Sequence, residues 1–140
     1  MRLRPAWSGM NVTYVGTDPG LEALIRERAP EPPENSFQFH HVVDANRWTK
    51  MKLLKQLFQL LFIILRTRPH VIITTGAAPG YFALRIGKLL GARTIWVDSI
   101  ANAEEMSLSG YRVQKFADLW LTQWEHLATS EGPDYKGSVI

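Results

Sequence analysis

The sequence contains no cysteine, which excludes a disulfide framework, thiolate metal sites and a cysteine nucleophile, and is compatible with a reducing compartment. It also lacks any uncharged apolar run of the roughly eighteen residues needed to span a bilayer. The opening Met-Arg-Leu-Arg-Pro-Ala-Trp-Ser-Gly has no apolar centre of the signal-peptide kind. A strong charge of either sign is missing too. Sixteen Lys and Arg against thirteen Asp and Glu leave a formal net charge of +3, too small a surplus for a dense nucleic-acid-binding patch, so no nucleic-acid partner is expected. Internal repeats and low-complexity tracts are absent as well. What is present is a 140-residue chain with 46% hydrophobic and 21% charged residues, enough apolar content for one globular domain and far too much for a disordered segment.

Short apolar runs rich in Val, Ile, Thr and aromatics alternate with helical patterns, the signature of an α/β fold whose sheet is covered on both faces. The pattern predicts strands over residues 11–15, 37–43, 71–75, 94–98 and 119–123, with a last extended piece over 135–140. Helices are predicted over residues 21–28, 47–66, 79–90 and 108–117, with a short one near 125–129. Residues 29–35 carry three prolines and are expected to form a surface loop. Strict alternation with right-handed crossovers implies a doubly wound, mostly parallel sheet with helices on both sides. In such sheets the chemistry sits beyond the carboxyl ends of the strands.

Three stretches fall at those ends. The first is Thr75-Gly76-Ala77-Ala78-Pro79-Gly80, where residues with little or no side chain follow a strand and open a helix. A ligand can approach the backbone there, and the helix amino terminus offers unpaired N–H groups to an anion. Ordinary strand-to-helix turns prefer the same small residues. No Gly-Lys-Ser/Thr follows, so this is not a phosphate loop. Asp98 ends the next strand at about the distance of the ribose-binding acid in a dinucleotide fold, but the Gly-x-Gly-x-x-Gly core is absent, leaving nicotinamide binding a weak alternative.

The second stretch, from Asp98 to Gly110, is dense in hydroxyls and carboxylates. Ser99, Ser107 and Ser109 suit hydrogen bonding to sugar hydroxyls or a pyrophosphate, and Ser107 is placed to cap the next helix. A merely solvated loop with one cap is the plainer reading. Just beyond another strand end, Gln123-Trp124-Glu125 lies near the same rim, where an aromatic more often packs than binds. His40, His41, His70 and His126 show no i, i+4 metal spacing, and no Gly-x-Ser-x-Gly elbow occurs. No metal and no cofactor are expected.

The third feature is the long helix over residues 47–66. Lys52, Lys55, Gln56 and Gln59 share one face, and continuing that stripe by three and four reaches Phe62 and Ile63. Phe62 and Ile63 beside Lys52, Lys55, Arg66 and Arg68 would suit an anionic membrane surface or a partner protein. Burial of the helix on two sides is the competing reading.

Taken together, Val-Ile-Ile-Thr-Thr-Gly-Ala-Ala-Pro-Gly at 71–80, Trp-Val-Asp-Ser-Ile-Ala-Asn-Ala-Glu-Glu-Met-Ser-Leu-Ser-Gly at 96–110 and Ala-Asp-Leu-Trp-Leu-Thr-Gln-Trp-Glu-His-Leu at 117–127 resemble the PssD-type oligosaccharide and exopolysaccharide biosynthesis proteins. Those are bacterial relatives of the Alg14 subunit of the eukaryotic UDP-N-acetylglucosamine transferase. The resemblance runs along the whole chain. It implies the Rossmann-like, amino-terminal, acceptor-side half of a MurG-like GT-B glycosyltransferase split across two chains, inactive without the UDP-sugar-binding subunit. The implied reaction transfers a sugar to a lipid-pyrophosphate-linked acceptor at the cytoplasmic face of a membrane. Gly76 to Gly80 would then face the acceptor pyrophosphate. Asp98, Ser99, Ser107, Ser109 and Gly110 would border the cleft, and Phe62 and Ile63 would meet lipid. The family opens with a strand and a Gly-Gly-His loop that has no counterpart here, so the chain is expected to be amino-terminally truncated, its strand at 11–15 to lack a neighbour, and its catalytic base to be unidentifiable. A non-catalytic α/β module that docks a partner through the long helix is the alternative.

Overall fold

The computed structural model describes residues 4–28, 36–46 and 48–139. The loop expected over 29–35 lies outside the described residues. The chain divides into two compact units, residues 1–56 with Val139, and residues 57–138 with Ile140.

In the first unit a 3-10 turn, Arg4–Trp7, precedes β1 (Asn11–Gly16), α1 (Leu21–Glu27) and β2 (Ser36–His41). β1 and β2 pair in parallel, with Val12 opposite Phe37 and Tyr14 opposite Phe39. The α1 start is built by Asp18, whose carboxylate accepts from the Gly20 N–H at 2.8 Å. Its end is closed by Arg4, a residue to which the sequence pattern gave no role. The buried Arg4 guanidinium donates to the Ile25 carbonyl at 2.6 Å and to the Arg28 carbonyl, and also to the Tyr14 hydroxyl at 3.1 Å. A cation at a helix carboxyl terminus satisfies the last carbonyls and complements the dipole. The Trp7 indole donates to the same Tyr14 hydroxyl at 2.8 Å, which ties the 3-10 turn to β1.

The helix α2 (Lys50–Thr67) follows. In the second unit come β3 (Val71–Thr74), α3 (Ala77–Leu89), β4 (Arg93–Val97), α4 (Leu108–Val113), β5 (Leu119–Thr122), a second 3-10 turn (Glu125–Leu127) and β6 (Asp134–Tyr135). The four strands form one parallel sheet in chain order, β3-β4-β5-β6. The core under this sheet is Leu84, Trp96, Met106 and Val113, with Ile72, Tyr81, Phe116 and Trp120 against it. Trp96 and Trp120 are register partners on adjacent strands, and α3 packs on β3 and β4 and against α4. Gly87 lets α3 approach closely: a Cβ there would stand 2.2 Å from Ile72 Cδ1.

The α/β alternation and the parallel pairing agree with the sequence pattern. Among the described residues the strands hydrogen-bond in two groups, β1 with β2 and β3 through β6. Among the described residues β1 bonds only to β2, and β3 only to β4, so each has one open edge. On β3, Ile72 faces the core while Val71 and Ile73 are exposed; a strand whose composition suits burial on both faces is covered on one. The helix expected over 108–117 ends at Val113 and passes into a turn in which the Phe116 and Ala117 N–H groups bond to the Val113 carbonyl. The short helix near 125–129 is a single 3-10 turn, and the extended end reduces to a two-residue strand.

Candidate functional site

Parallel pairing places the carboxyl ends of β3, β4 and β5 along one edge of the second unit's sheet, with Thr74 beside Trp96 and Val97 beside Leu121. The loops leaving these strands therefore share one rim. They hold Thr75 to Gly80, Asp98 to Gly110, and Gln123 onward.

The β3–α3 turn is shaped by Thr74. Its hydroxyl accepts from the Gly76 N–H at 3.2 Å, an ST turn that reverses the backbone ahead of the helix. Two successive residues then take positive φ, Gly76 at 122° and Ala77 at 62°. Glycine tolerates this conformation; alanine pays about 1–2 kcal/mol for it. A Cβ at Gly76 would meet nothing within 4 Å, so this corner is open to a ligand. Thr75 and Ala77 are exposed, and Ala78 and Pro79 are half-buried in the first turn of α3. Gly80 plays another part. It is buried, and a Cβ there would lie 1.9 Å from Thr74 Oγ1 and 3.0 Å from Thr74 Cβ. Its bare Cα lets α3 pack on β3, whereas Gly76 leaves space for an external group.

Asp98 is the centre of the second loop and points inward. It is 1% exposed. Its carboxylate accepts from Trp96 Nε1 at 3.1 Å, Asn102 Nδ2 at 3.0 Å, the Ser107 N–H at 2.9 Å and the Ser107 hydroxyl at 2.6 Å. Ser107 in turn caps α4 by accepting from the Gly110 N–H at 2.9 Å. A Cβ at Gly110 would stand 2.9 Å from Ser107 Oγ and 3.0 Å from Asp98 Oδ1, so glycine there is required by the crowding around the carboxylate. Asp98, Ser107 and Gly110 thus build the loop from within. Ser99 and Ser109 are half-buried beside them, and Ser99 Oγ accepts from the Ala101 N–H at 3.3 Å. The residues Ala101, Asn102, Ala103, Glu104 and Glu105 line a depression of about 290 Å³. The pattern reading missed Trp96, Asn102 and Gln123 as partners of Asp98; Gln123 Nε2 donates to the Asp98 carbonyl at 2.8 Å. The sequence signal was an N–H or an amide at an apolar strand end for Trp96 and Gln123, and for Asn102 an amide within the loop.

A second polar cluster lies at the opposite ends of β4 and β5. Asp118 accepts from the Thr94 N–H at 2.8 Å and the Thr94 hydroxyl at 3.0 Å, and pairs with Lys88. The Lys88 hydrogen bond first, then the Thr94 N–H, pull its carboxyl down to about 2 against the opposing effect of desolvation. Its place at the strand starts makes it a structural tie.

On α2, Phe62 is 65% exposed and Ile63 is 8% exposed. The pairing of Phe62 with Ile63 as one patch is thereby corrected: one residue turns a helix by about 100°, which carries Ile63 to the buried side. Gln56 is also buried, and its Nε2 donates to the Val43 carbonyl at 2.7 Å. The exposed apolar stripe is Met51, Leu54, Phe58, Phe62 and Leu65, at steps of three and four. Lys52, Lys55 and Arg66 flank it, also exposed, and α2 contains no acidic residue. Among the described residues no helix is long and apolar enough to cross a membrane, and no cluster of metal-ligating side chains is present.

The fold has a solved counterpart. MurG of Acinetobacter baumannii superposes with a TM-score of 0.64 over 99% of this chain and 39% of that one, at 13% identity, a likeness of fold. Two curated relatives are UDP-N-acetylglucosamine transferase subunits ALG14. That of Yarrowia lipolytica is 36% identical over 56% of this chain and 39% of its own length. That of Eremothecium gossypii is 39% identical over 46% of this chain and 31% of its own length. The chain thus matches well under half the length of either relative. The family model for Alg14-like oligosaccharide biosynthesis proteins matches residues 38–139, a span that includes the glycine turn, the Asp98 loop and the segment leaving β5, and on that match the chain belongs to the Alg14-like family.

Proposed function

We propose that this chain is the acceptor-side subunit of a two-component UDP-sugar glycosyltransferase, transferring N-acetylglucosamine to a lipid-pyrophosphate-linked acceptor in oligosaccharide or exopolysaccharide biosynthesis. The observation that carries the reading is the rim, in which an open corner at Gly76 begins a 13-residue helix beside the hydroxyl-bearing loop after β4. The first-turn N–H groups of α3 and its positive dipole end favour a pyrophosphate there. Ser99 and Ser109 supply hydroxyls to the sugar, while Asp98, Ser107 and Gly110 hold the loop. In the transfer, an acceptor hydroxyl oxygen bonds to the anomeric carbon and gives up its proton to a base outside this chain or to solvent, the bond from that carbon to the UDP oxygen breaks, and UDP departs. Positioning is this subunit's contribution; the donor sits on the partner, and the chain is inactive alone.

The α2 stripe supports peripheral attachment to the cytoplasmic face of a membrane. Exposed apolar side chains flanked by cations, with no acid on the helix, match a helix lying in an anionic interface. The same stripe is what favours the second reading, a non-catalytic module that docks a partner protein. The open edge of β1 supports a related proposal, that a parallel strand from polypeptide outside these 140 residues completes it.

The decisive experiment is reconstitution of the full-length chain with its UDP-sugar-binding partner, labelled UDP-N-acetylglucosamine and membranes. Labelled lipid-linked product, absent when either subunit is omitted, is the expected result; no product refutes the transferase reading. Phe62→Asp is expected to weaken binding to phosphatidylserine-containing vesicles roughly tenfold or more. Unchanged vesicle binding with loss of partner binding would favour the docking module.

A further inference from the structure

We infer that Trp124 and His126 are positioning residues that latch the β4–α4 loop from outside, so that the segment leaving β5 sets the shape of the rim. Trp124 Nε1 donates to the Ile100 carbonyl at 3.0 Å. His126 Nε2 lies 2.7 Å from the Ala103 carbonyl; a carbonyl only accepts, so the proton is on Nε2. The two rings stand together, centroids 6.1 Å apart and tilted by 53°, and with Gln123 on the Asp98 carbonyl they engage three backbone oxygens of one loop.

Asp98 holds that loop at Asn102 in its middle and at Ser107 at the start of α4, with Trp96 behind it. Around Asn102, Ile100, Ala101, Glu104 and Glu105 are exposed, and the Asp98 carboxylate, which only accepts, does not itself restrain the carbonyls of Ile100 and Ala103. The latch supplies that restraint. Because Trp124 and His126 follow β5 directly, Trp124 with its N–H on Thr122 Oγ1 at 3.2 Å, they are carried by the sheet. Loop and latch are then a preformed unit, the condition under which a site binds without a further ordering cost. Their bonds go to backbone oxygens and the rings take no part in the depression lined by Ala101 to Glu105.

The functional part of this inference rests on the reading of the loop as the acceptor rim. Its test uses the full-length chain in complex with its partner subunit and three variants: Trp124→Phe, which keeps the ring and removes the N–H; His126→Ala; and His126→Gln, whose amide nitrogen can replace Nε2. Amide hydrogen exchange over residues 99–106 is measured by mass spectrometry, beside KM for a short-chain lipid-pyrophosphate-linked sugar and for the UDP-sugar. Trp124→Phe and His126→Ala are expected to speed exchange in the loop roughly threefold to tenfold, the scale of one net hydrogen bond. They should raise the acceptor KM by a similar factor with donor KM and kcat unchanged, and His126→Gln should restore both. Unaltered loop exchange in Trp124→Phe and His126→Ala overturns the latch. Faster exchange with an unaltered acceptor KM upholds the latch and overturns the assignment of this loop to the acceptor.

Discussion

Replacing Asp98 by alanine removes one carboxylate and leaves four hydrogen-bond donors without their acceptor. They are Trp96 Nε1, Asn102 Nδ2, the Ser107 N–H and the Ser107 hydroxyl. The four are not equivalent. Asn102 and Ser107 are half-buried, so water can recover part of what they lose. Trp96 has no solvent exposure, and its indole N–H stays unsatisfied at a cost of about 1–3 kcal/mol. Adding about 1 kcal/mol for each of the two half-buried residues, Asn102 and Ser107, whose bonds water only partly replaces, gives a loss on the order of 3–5 kcal/mol. For a chain of this size that lowers the unfolding midpoint by about 10–15 °C. Asp98→Asn keeps one acceptor oxygen and should lose about half as much. Urea unfolding followed by tryptophan fluorescence measures both, with Trp96 beside the perturbation as reporter. A loss under about 1 kcal/mol in Asp98→Ala would refute the assignment of this carboxylate as the hub of the loop.

Three further outcomes are expected. Gly80→Ala drives a Cβ into Thr74, 1.9 Å from its hydroxyl oxygen, and should cost about 1–3 kcal/mol, part of which Thr74→Ala restores in the double variant by thermal unfolding. Ala77→Gly releases a positive φ of 62° worth about 1–2 kcal/mol against glycine's entropy of about 0.5–1 kcal/mol, so it should be neutral to mildly stabilising; Ala78→Gly in the helix should destabilise by about 1 kcal/mol. Asp118 has a carboxyl lowered to about 2, so the folded protein binds its proton less readily than the unfolded chain. Its stabilisation is present above the ordinary carboxylate range and is lost as pH falls from about 4 toward 2. With the Lys88 and Asp118 side chains 43% and 40% exposed, the effect stays within about 1 kcal/mol, and Asp118→Asn should remove that acid limb from thermal unfolding measured between pH 5 and pH 2.

The sequence by itself determined the order of strands and helices, because their periodicities of two and 3.6 are written locally in which residues are apolar. It also determined where the loops of the rim fall, and it placed Ser107 correctly as the cap of α4, since capping is a contact three residues long. The family motifs at 71–80, 96–110 and 117–127 were legible for the same reason: each is a contiguous stretch. What only the tertiary structure decided are partners far apart in the chain. Arg4 closes α1 twenty-one residues away at Ile25, Gln123 reaches back to Asp98, and Gly87 is glycine because of Ile72 on β3. The register of each strand pair, Val12 opposite Phe37 and Trp96 opposite Trp120, was likewise not legible, since periodicity does not carry it. Nor could composition distinguish Asp98 turned inward from Asp98 turned toward a ligand. A carboxylate at a strand end is the same letter in both cases, and only the convergence of four donors around it fixes which way it points.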